Sequence, residues 1–200
     1  MRYIVVDLEA TCWENVRDFD RMETIEIGAV ELAAADEPPS REFSRFIRPV
    51  AEPRLSEFCR RLTTIRQWDV DAADGFWAVF PEFLEWIGEE PFVLCSWGGY
   101  DLTQFRTDCA RHGLAFPPSF ERHVNLKKEF ARLMSVKVCG MERALAHAGL
   151  PLEGTHHRGI DDARNIARLA ALVLPVLESS GALPVAPDTE PGAAPDPART

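Results

Sequence analysis

Near the start of the chain, apolar residues fall into three patterns that fit β-strands. Tyr3 to Val6 is a β-rich run, Ile25 to Leu32 interleaves Ile25, Ile27 and Ala29 with Glu26 and Gly28, and Phe43 to Ile47 forms a third run. Residues 33–40, which hold Asp36, Glu37 and the Pro38-Pro39 pair, have the composition of a hairpin loop. Three strands joined this closely predict an antiparallel meander.

From Leu55 the period lengthens. Leu55, Phe58, Cys59 and Leu62 recur at helical spacing, and Thr63 or Thr64 is expected to cap a short helix through Trp68. The stripe Phe76, Val79, Phe80, Phe83, Leu84, Ile87 predicts an amphipathic helix against the core, with Pro81 as a kink or as its true start. Phe92 to Ser96 reads as a short buried strand, Trp97-Gly98-Gly99-Tyr100 as a turn, and Leu102 to His112 as a helix closed by Gly113. Further helices are expected near Leu126 to Leu133 and Gly140 to His147. A last helix, Asp161 to Leu174, carries Ile166, Leu169, Ala170 and Val173 on one face and should stop at Pro175. The order strand, strand, strand, helices, strand, helices implies an α/β domain with helices against a sheet. Past Glu178 the chain turns to Pro, Ala, Gly and acids. The expected organisation is one domain over residues 1–177 and a disordered tail over 178–200.

Composition narrows the class. With 200 residues, 46% of them apolar, and 12 Phe and 5 Trp, the chain holds enough greasy surface for one globular core. No apolar run approaches the roughly 20 residues of a membrane span, and Met1 leads straight into the first strand pattern without a basic leader. A soluble, cytoplasmic protein with no membrane partner is expected. The five cysteines are scattered, odd in number and free of any C-x-x-C pair, so they signal neither a zinc knuckle nor a disulfide framework. They read as small hydrophobes. A net charge of −10 works against nonspecific duplex binding at long range. It leaves room for a site that brings its own cations.

Such a site is suggested by the acids. Asp7 and Glu9 close the first strand two residues apart, so both carboxylates leave the same face. Like charges held together repel unless a cation sits between them. Asp101 follows the Gly98-Gly99 turn at the start of a helix, where it could deliver a carboxylate or merely cap. A fourth acid, Asp162, lies where a His-bearing loop, Gly154 to Arg158, enters the last helix. Four acids from separated segments suit two hard cations about 4 Å apart, as in in-line phosphoryl displacement. Oxygen ligands favour Mg2+ or Mn2+ over zinc. A nearby histidine such as His157 would take the proton from the attacking water.

Asp7-Leu8-Glu9-Ala10-Thr11-Cys12, Ser96 to Asp101 and His157 to Asp162 together resemble the three motifs of the DEDDh 3′-to-5′ exonucleases of the ribonuclease-H-like superfamily. Ile25 to Val30, Leu55 to Cys59 and Asn125 to Lys128 are similar to the Eri-type exoribonucleases within that group. The resemblance runs from about Tyr3 to Leu174. It implies a ribonuclease-H-like mixed sheet flanked by helices, with Asp7, Glu9, Asp101 and Asp162 as ligands of two divalent cations and His157 as general base. The family spacing of histidine to last aspartate selects His157 with Asp162. His156 keeps no assigned role, and Asp161 reads as a helix N-cap. The resemblance also implies that Leu8, Glu9, Ala10 and Thr11 meet the terminal ribose.

The strand itself must be held by local features, because the first motif already begins at residue 7, with no room for the nucleic-acid-binding domain that precedes the nuclease in animal Eri-type enzymes. Arg122 to Arg143 has a local charge of +4, and Lys127, Lys128 and Lys137 are its candidate phosphate-tracking residues. Trp13 and Trp97 flank the motifs and are candidates for base stacking, whereas Trp68, Trp77 and Trp86 read as core. The resulting expectation is a metal-dependent enzyme removing 5′-mononucleotides from single-stranded 3′ ends, RNA before DNA. A DNA-directed exonuclease of proofreading or repair type is the first alternative. A catalytically idle module binding nucleic-acid ends or a protein is the second.

Overall fold

The three N-terminal runs become strands longer than their apolar centres. The protein is seen here in a computed structural model that describes residues 1–185 apart from Arg17 and Phe19. The first strand, β1 (Arg2–Ala10), pairs antiparallel with β2 (Thr24–Leu32), and β2 with β3 (Pro39–Phe46). The ladder therefore carries the first strand past Val6 through Asp7 and Glu9, which face Gly28 and Glu26 across the pair. β3 begins at Pro39, inside the stretch expected to be loop.

Two further strands complete a mixed sheet. β4 (Phe92–Ser96) lies parallel to β1, and β5 (His123–Asn125) parallel to β4, giving the order β3-β2-β1-β4-β5. No alternation of side chains marks β5 in the sequence, because three residues are too few to show a period. Seven helices are found among the described residues: α1 (Glu57–Thr63), α2 (Gln67–Asp71), α3 (Phe76–Ile87), α4 (Tyr100–His112), α5 (Leu126–Leu133), α6 (Met141–His147) and α7 (Gly159–Ser179). None of them is long and apolar enough to cross a membrane.

Strand alternation divides the core between the two faces of the sheet. Tyr3 and Val5 of β1, with Val30 and Leu32 of β2, pack against α5, α6 and α7. Ile4, Val6 and Leu8 pack against the Phe76–Ile87 stripe of α3 and against Phe105 and Cys109 of α4. A smaller cluster, Ile25, Leu55, Cys59, Ile65 and Val70, seats α1 and α2.

Several expectations need correction. Arg66, not Thr63 or Thr64, sits at the start of α2, where its own N–H is taken by the Asp69 carboxylate. Thr64 instead ends α1 in a left-handed conformation. Pro81 lies inside α3, exposed, and does not start it. α7 begins at Gly159 and runs through Pro175 to Ser179, so Asp161 is a first-turn residue and not the N-cap. Interior proline costs a helix about 3 kcal/mol, and here Val173, Leu174 and Leu177 bury apolar surface on both sides of it. Trp68 and Trp77 are 59% and 62% exposed and do not belong to the core. Trp77 follows Phe76 by one residue, which turns it about 100° from the buried stripe, and Trp68 packs under the Arg66 guanidinium. Of the tail expected from residue 178, residues 186–200 lie outside the described residues.

One contact fixes α7 on the sheet. Gly28 pairs with Asp7, and a Cβ at Gly28 would drive into the backbone of Gly159 and Ile160. Isolated glycine in a strand pattern marks such a close approach. Gly28→Ala is expected to destabilise the fold by about 1–3 kcal/mol, read as a lower midpoint of denaturant unfolding.

Candidate active site

Asp7 and Glu9 continue the face of β1 that carries Tyr3 and Val5, so both point to the side that α7 covers. The Gly28–Gly159 contact brings the first turn of α7 directly over them, and with it Asp162. Carboxylate oxygens of Asp7, Glu9 and Asp162 all lie within 4.8 Å of one another. Asp101, the second residue of α4, lines the same cavity but is not part of that triplet; its Oδ1 accepts the Leu8 N–H at 3.0 Å.

The histidine loop closes on the same carboxylate. Asp162 accepts the backbone N–H of His157 at 3.0 Å, and His156 Nδ1 lies 3.0 and 3.2 Å from its two oxygens. The two imidazole rings stack with centroids 3.9 Å apart. His156, left without a role by its position in the sequence, is thus the residue whose ring engages Asp162. His157 adopts a left-handed backbone with φ of 62°. Its imidazole, Asp162 and His156 form a second group whose ligand atoms lie within 4.8 Å.

Burial makes this cluster costly. It pushes Asp7 well above the usual carboxylate range, with further rises from the charges of Asp101 and Glu9. Glu9 is raised by burial, then by Asp162 and Glu26. Asp162 is raised by burial despite the opposing influence of His156 and the His157 N–H. Burial pushes Asp101 up to about 6. His157 moves the other way, lowered by burial and then by His156, so its ring is neutral at pH 7. A donor set made only of carboxylate oxygens that repel one another fits hard divalent cations.

A testable consequence concerns the protein without metal. An acid with a folded-state pKa of about 6 and an ordinary value of 3.8 penalises the folded state above pH 6 and is relieved as the pH falls through that window. Asp101→Asn keeps an oxygen for the Leu8 N–H and removes the charge. In chelator it is expected to melt at a higher temperature than the parent at pH 8, and the difference should shrink below about pH 6. Thermal melts across pH check this.

The carboxylates line a cavity of about 280 Å3. Apolar residues share that lining: Leu8, Ala10, Leu62, Trp97 and Met141. The Trp97 indole N–H donates to the Cys139 carbonyl at 3.2 Å and its ring lies 5.8 Å from Phe130. Trp13 and Thr11 are absent from the lining: Arg21 covers the Trp13 ring at 4.7 Å, and Thr11 Oγ1 accepts the Glu23 N–H. Lys127, Lys128 and Lys137 do not line the cavity and pair with no acid among the described residues. His123 is on β5 with its Nε2 2.9 Å from Ser96 Oγ, and burial lowers it to about 4. Sequence reasoning missed Met22, Leu62 and Met141 in the lining, because nothing in their spacing ties them to the acids, and Tyr100, whose place beside Asp101 was the one available signal.

Comparison with known proteins points the same way. The family model described as "Exonuclease" (RNase T) matches residues 4–170. The chain is 30% identical over 187 residues to the 3′-5′ exonuclease Snipper of Drosophila melanogaster, covering 83% of this chain and 66% of that protein. It is 32% identical over 189 residues to ERI1 exoribonuclease 2 of Mus musculus, covering 84% of this chain and 28% of that protein. The chain thus spans about two thirds of the fly relative and little more than a quarter of the mouse one. Among solved structures, the nuclease domain of 3′hExo, a DEDDh family member bound to rAMP, superposes with a TM-score of 0.82 at 28% identity, over 88% of this chain and 92% of that one.

Proposed function

Since the chain belongs to the exonuclease (RNase T) family, with a DEDDh ribonuclease-H-like fold, we propose that it is a 3′-to-5′ exoribonuclease that hydrolyses single-stranded RNA to 5′-mononucleotides with Mg2+ or Mn2+. One observation carries this reading: three carboxylates and a histidine loop converge on a cavity that apolar side chains also line. That mixed lining suits a terminal nucleotide, with the phosphodiester at the acids and the base against Leu62, Trp97 and Met141.

Asp7, Glu9, Asp101 and Asp162 would hold two divalent cations. When bound, these would neutralise charge at the phosphate and make the attacking water more acidic. His157 takes the proton of that water, a role its neutral ring can fill at pH 7. Asp162 orients His157 through the backbone N–H, and Asp101 holds the Leu8 amide, so that Leu8 and Ala10 present a fixed edge to the terminal ribose. Trp97, anchored by Cys139 and Phe130, offers its ring for base stacking. Lys127, Lys128 and Lys137 would track phosphates 5′ of the scissile bond.

The test is product analysis on RNA and DNA oligomers of one sequence, with unblocked and 3′-phosphorylated ends. The expected result is 5′-mononucleotides by mass spectrometry, faster from RNA, with the blocked end slowed. Faster digestion of DNA would transfer the reading to the DNA-directed alternative.

A further inference from the structure

The first turn of α7 carries Asp162 and follows the His157 turn, yet its N-cap, Arg158, makes no side-chain capping bond. The acceptor comes from the sheet. Glu26 of β2 is fully buried, and its Oε2 accepts the Gly159 N–H at 3.1 Å and the Arg158 Nε–H at 3.2 Å. Glu26 stands directly opposite Glu9 in the β1–β2 ladder, and Arg158 lies over the Phe46 ring at 5.1 Å. An acceptor 133 residues away in sequence thus satisfies one of the first-turn N–H groups that have no partner within the helix.

The placement is a poor one for stability alone. Glu26 adds a negative charge beside Glu9, whose proton affinity it raises, and its Oε1 is buried without a hydrogen-bond partner among the described residues. A buried polar atom left so costs about 1–3 kcal/mol and invites a functional explanation. The bond sits between the two parts of the site. Upstream, Thr155 N–H is held by Asp161 at 2.9 Å, and His157 N–H by Asp162. Downstream, where Gly28 and Gly159 meet backbone to backbone, Glu26 supplies the hydrogen bonds that tie the turn to the strand pair carrying Asp7 and Glu9.

We propose that Glu26 is a positioning residue: by capping α7 from the sheet, it sets the left-handed His157 turn and Asp162 against Asp7 and Glu9. The proposal rests on the hydrolytic reading above. It leaves the nucleotide-facing residues of β1 and the Trp97 wall untouched, so it acts on turnover and on cation binding and not on substrate affinity.

Three substitutions in the full chain test it. Glu26→Ala removes the acceptor, Glu26→Asp keeps the charge but withdraws it by one methylene, and Glu26→Gln keeps an oxygen at full reach. The measurements are kcat and KM on single-stranded RNA, Mn2+ affinity by electron paramagnetic resonance without RNA, and melting temperature. Glu26→Ala and Glu26→Asp are expected to lose about 10–100-fold in kcat and in Mn2+ affinity with KM within about twofold, while Glu26→Gln stays within about threefold of the parent. If Glu26→Ala does not fold, the Asp and Gln variants decide. Retention of kcat and Mn2+ affinity within about twofold by the Asp variant, whatever its melting temperature, overturns the proposal. So does a Gln variant as impaired as the Asp variant. If the parent releases no mononucleotide, the hydrolytic reading fails, and the Mn2+ arm still judges the positioning role: weakened binding in the Asp variant upholds it, and unchanged binding overturns it.

Discussion

Asp162→Asn is expected to lower turnover by about 10³-fold or more while the protein stays folded. Asp162 is the residue that the two ligand groups share, one with Asp7 and Glu9, the other with His156 and His157. Its oxygens also accept the His157 N–H and face the His156 ring. Asparagine keeps one oxygen for that N–H but loses the charge that would hold a divalent cation. The loss should appear in kcat at saturating Mg2+ and also as weaker Mn2+ binding without RNA. The fold has little to lose, because burial already opposes ionisation of Asp162. Near-parental turnover in metal-replete buffer, at an unchanged melting temperature, would remove Asp162 from the ligand set.

His157→Ala is expected to cost about 10²–10⁴-fold in kcat, the range for a positioned proton acceptor, with Mn2+ affinity retained. The imidazole is lowered below its ordinary 6.5 by burial and by His156. The base is therefore already neutral at pH 7, and activity should fall only as the pH drops below 6.5. In the alanine variant that acid limb should vanish from what rate remains. Unchanged kcat near neutral pH would shift the proton-accepting role to His156, whose ring stacks on His157.

What the sequence discloses and what it hides follow from the range of the forces involved. Phe92–Ser96 and Leu126–Leu133 were legible to the residue because local periodicity and boundary residues agree there. Asp7 and Glu9 could be put on one face because alternation along a strand is a property of two neighbouring residues. β5 was hidden because its pairing to β4 is decided by register and not by its three side chains. The passage of α7 through Pro175 was hidden because tertiary burial of Val173, Leu174 and Leu177 outweighs a local penalty. Trp68 and Trp77 lie within helical apolar stretches of the sequence, yet each is turned off the buried face of its helix, so membership of such a stretch does not place them in the core.

The site divides in the same way. Its acids and His157 lie in motifs, and those were nameable from residue type and order. The bond from His156 to Asp162 depends on how the loop folds over the first turn of α7, and the cap from Glu26 to Gly159 on the descent of α7 onto β2. Gly28 was the one legible trace of that descent, a glycine alternating with apolar residues where a side chain would ordinarily pack. Trp97 lines the cavity, whereas Trp13, equally close to a motif acid in sequence, is covered by Arg21.

The most direct test of hydrolysis from a 3′ end is a time course on single-stranded RNA and DNA of one sequence, labelled at either end, in Mg2+, Mn2+ or chelator. The account predicts that 3′ label leaves as mononucleotide from the first time point while 5′-labelled strands shorten stepwise, faster on RNA, and that chelator stops both. Internal fragments, release from the 5′ end, or no cleavage with either ion would contradict it.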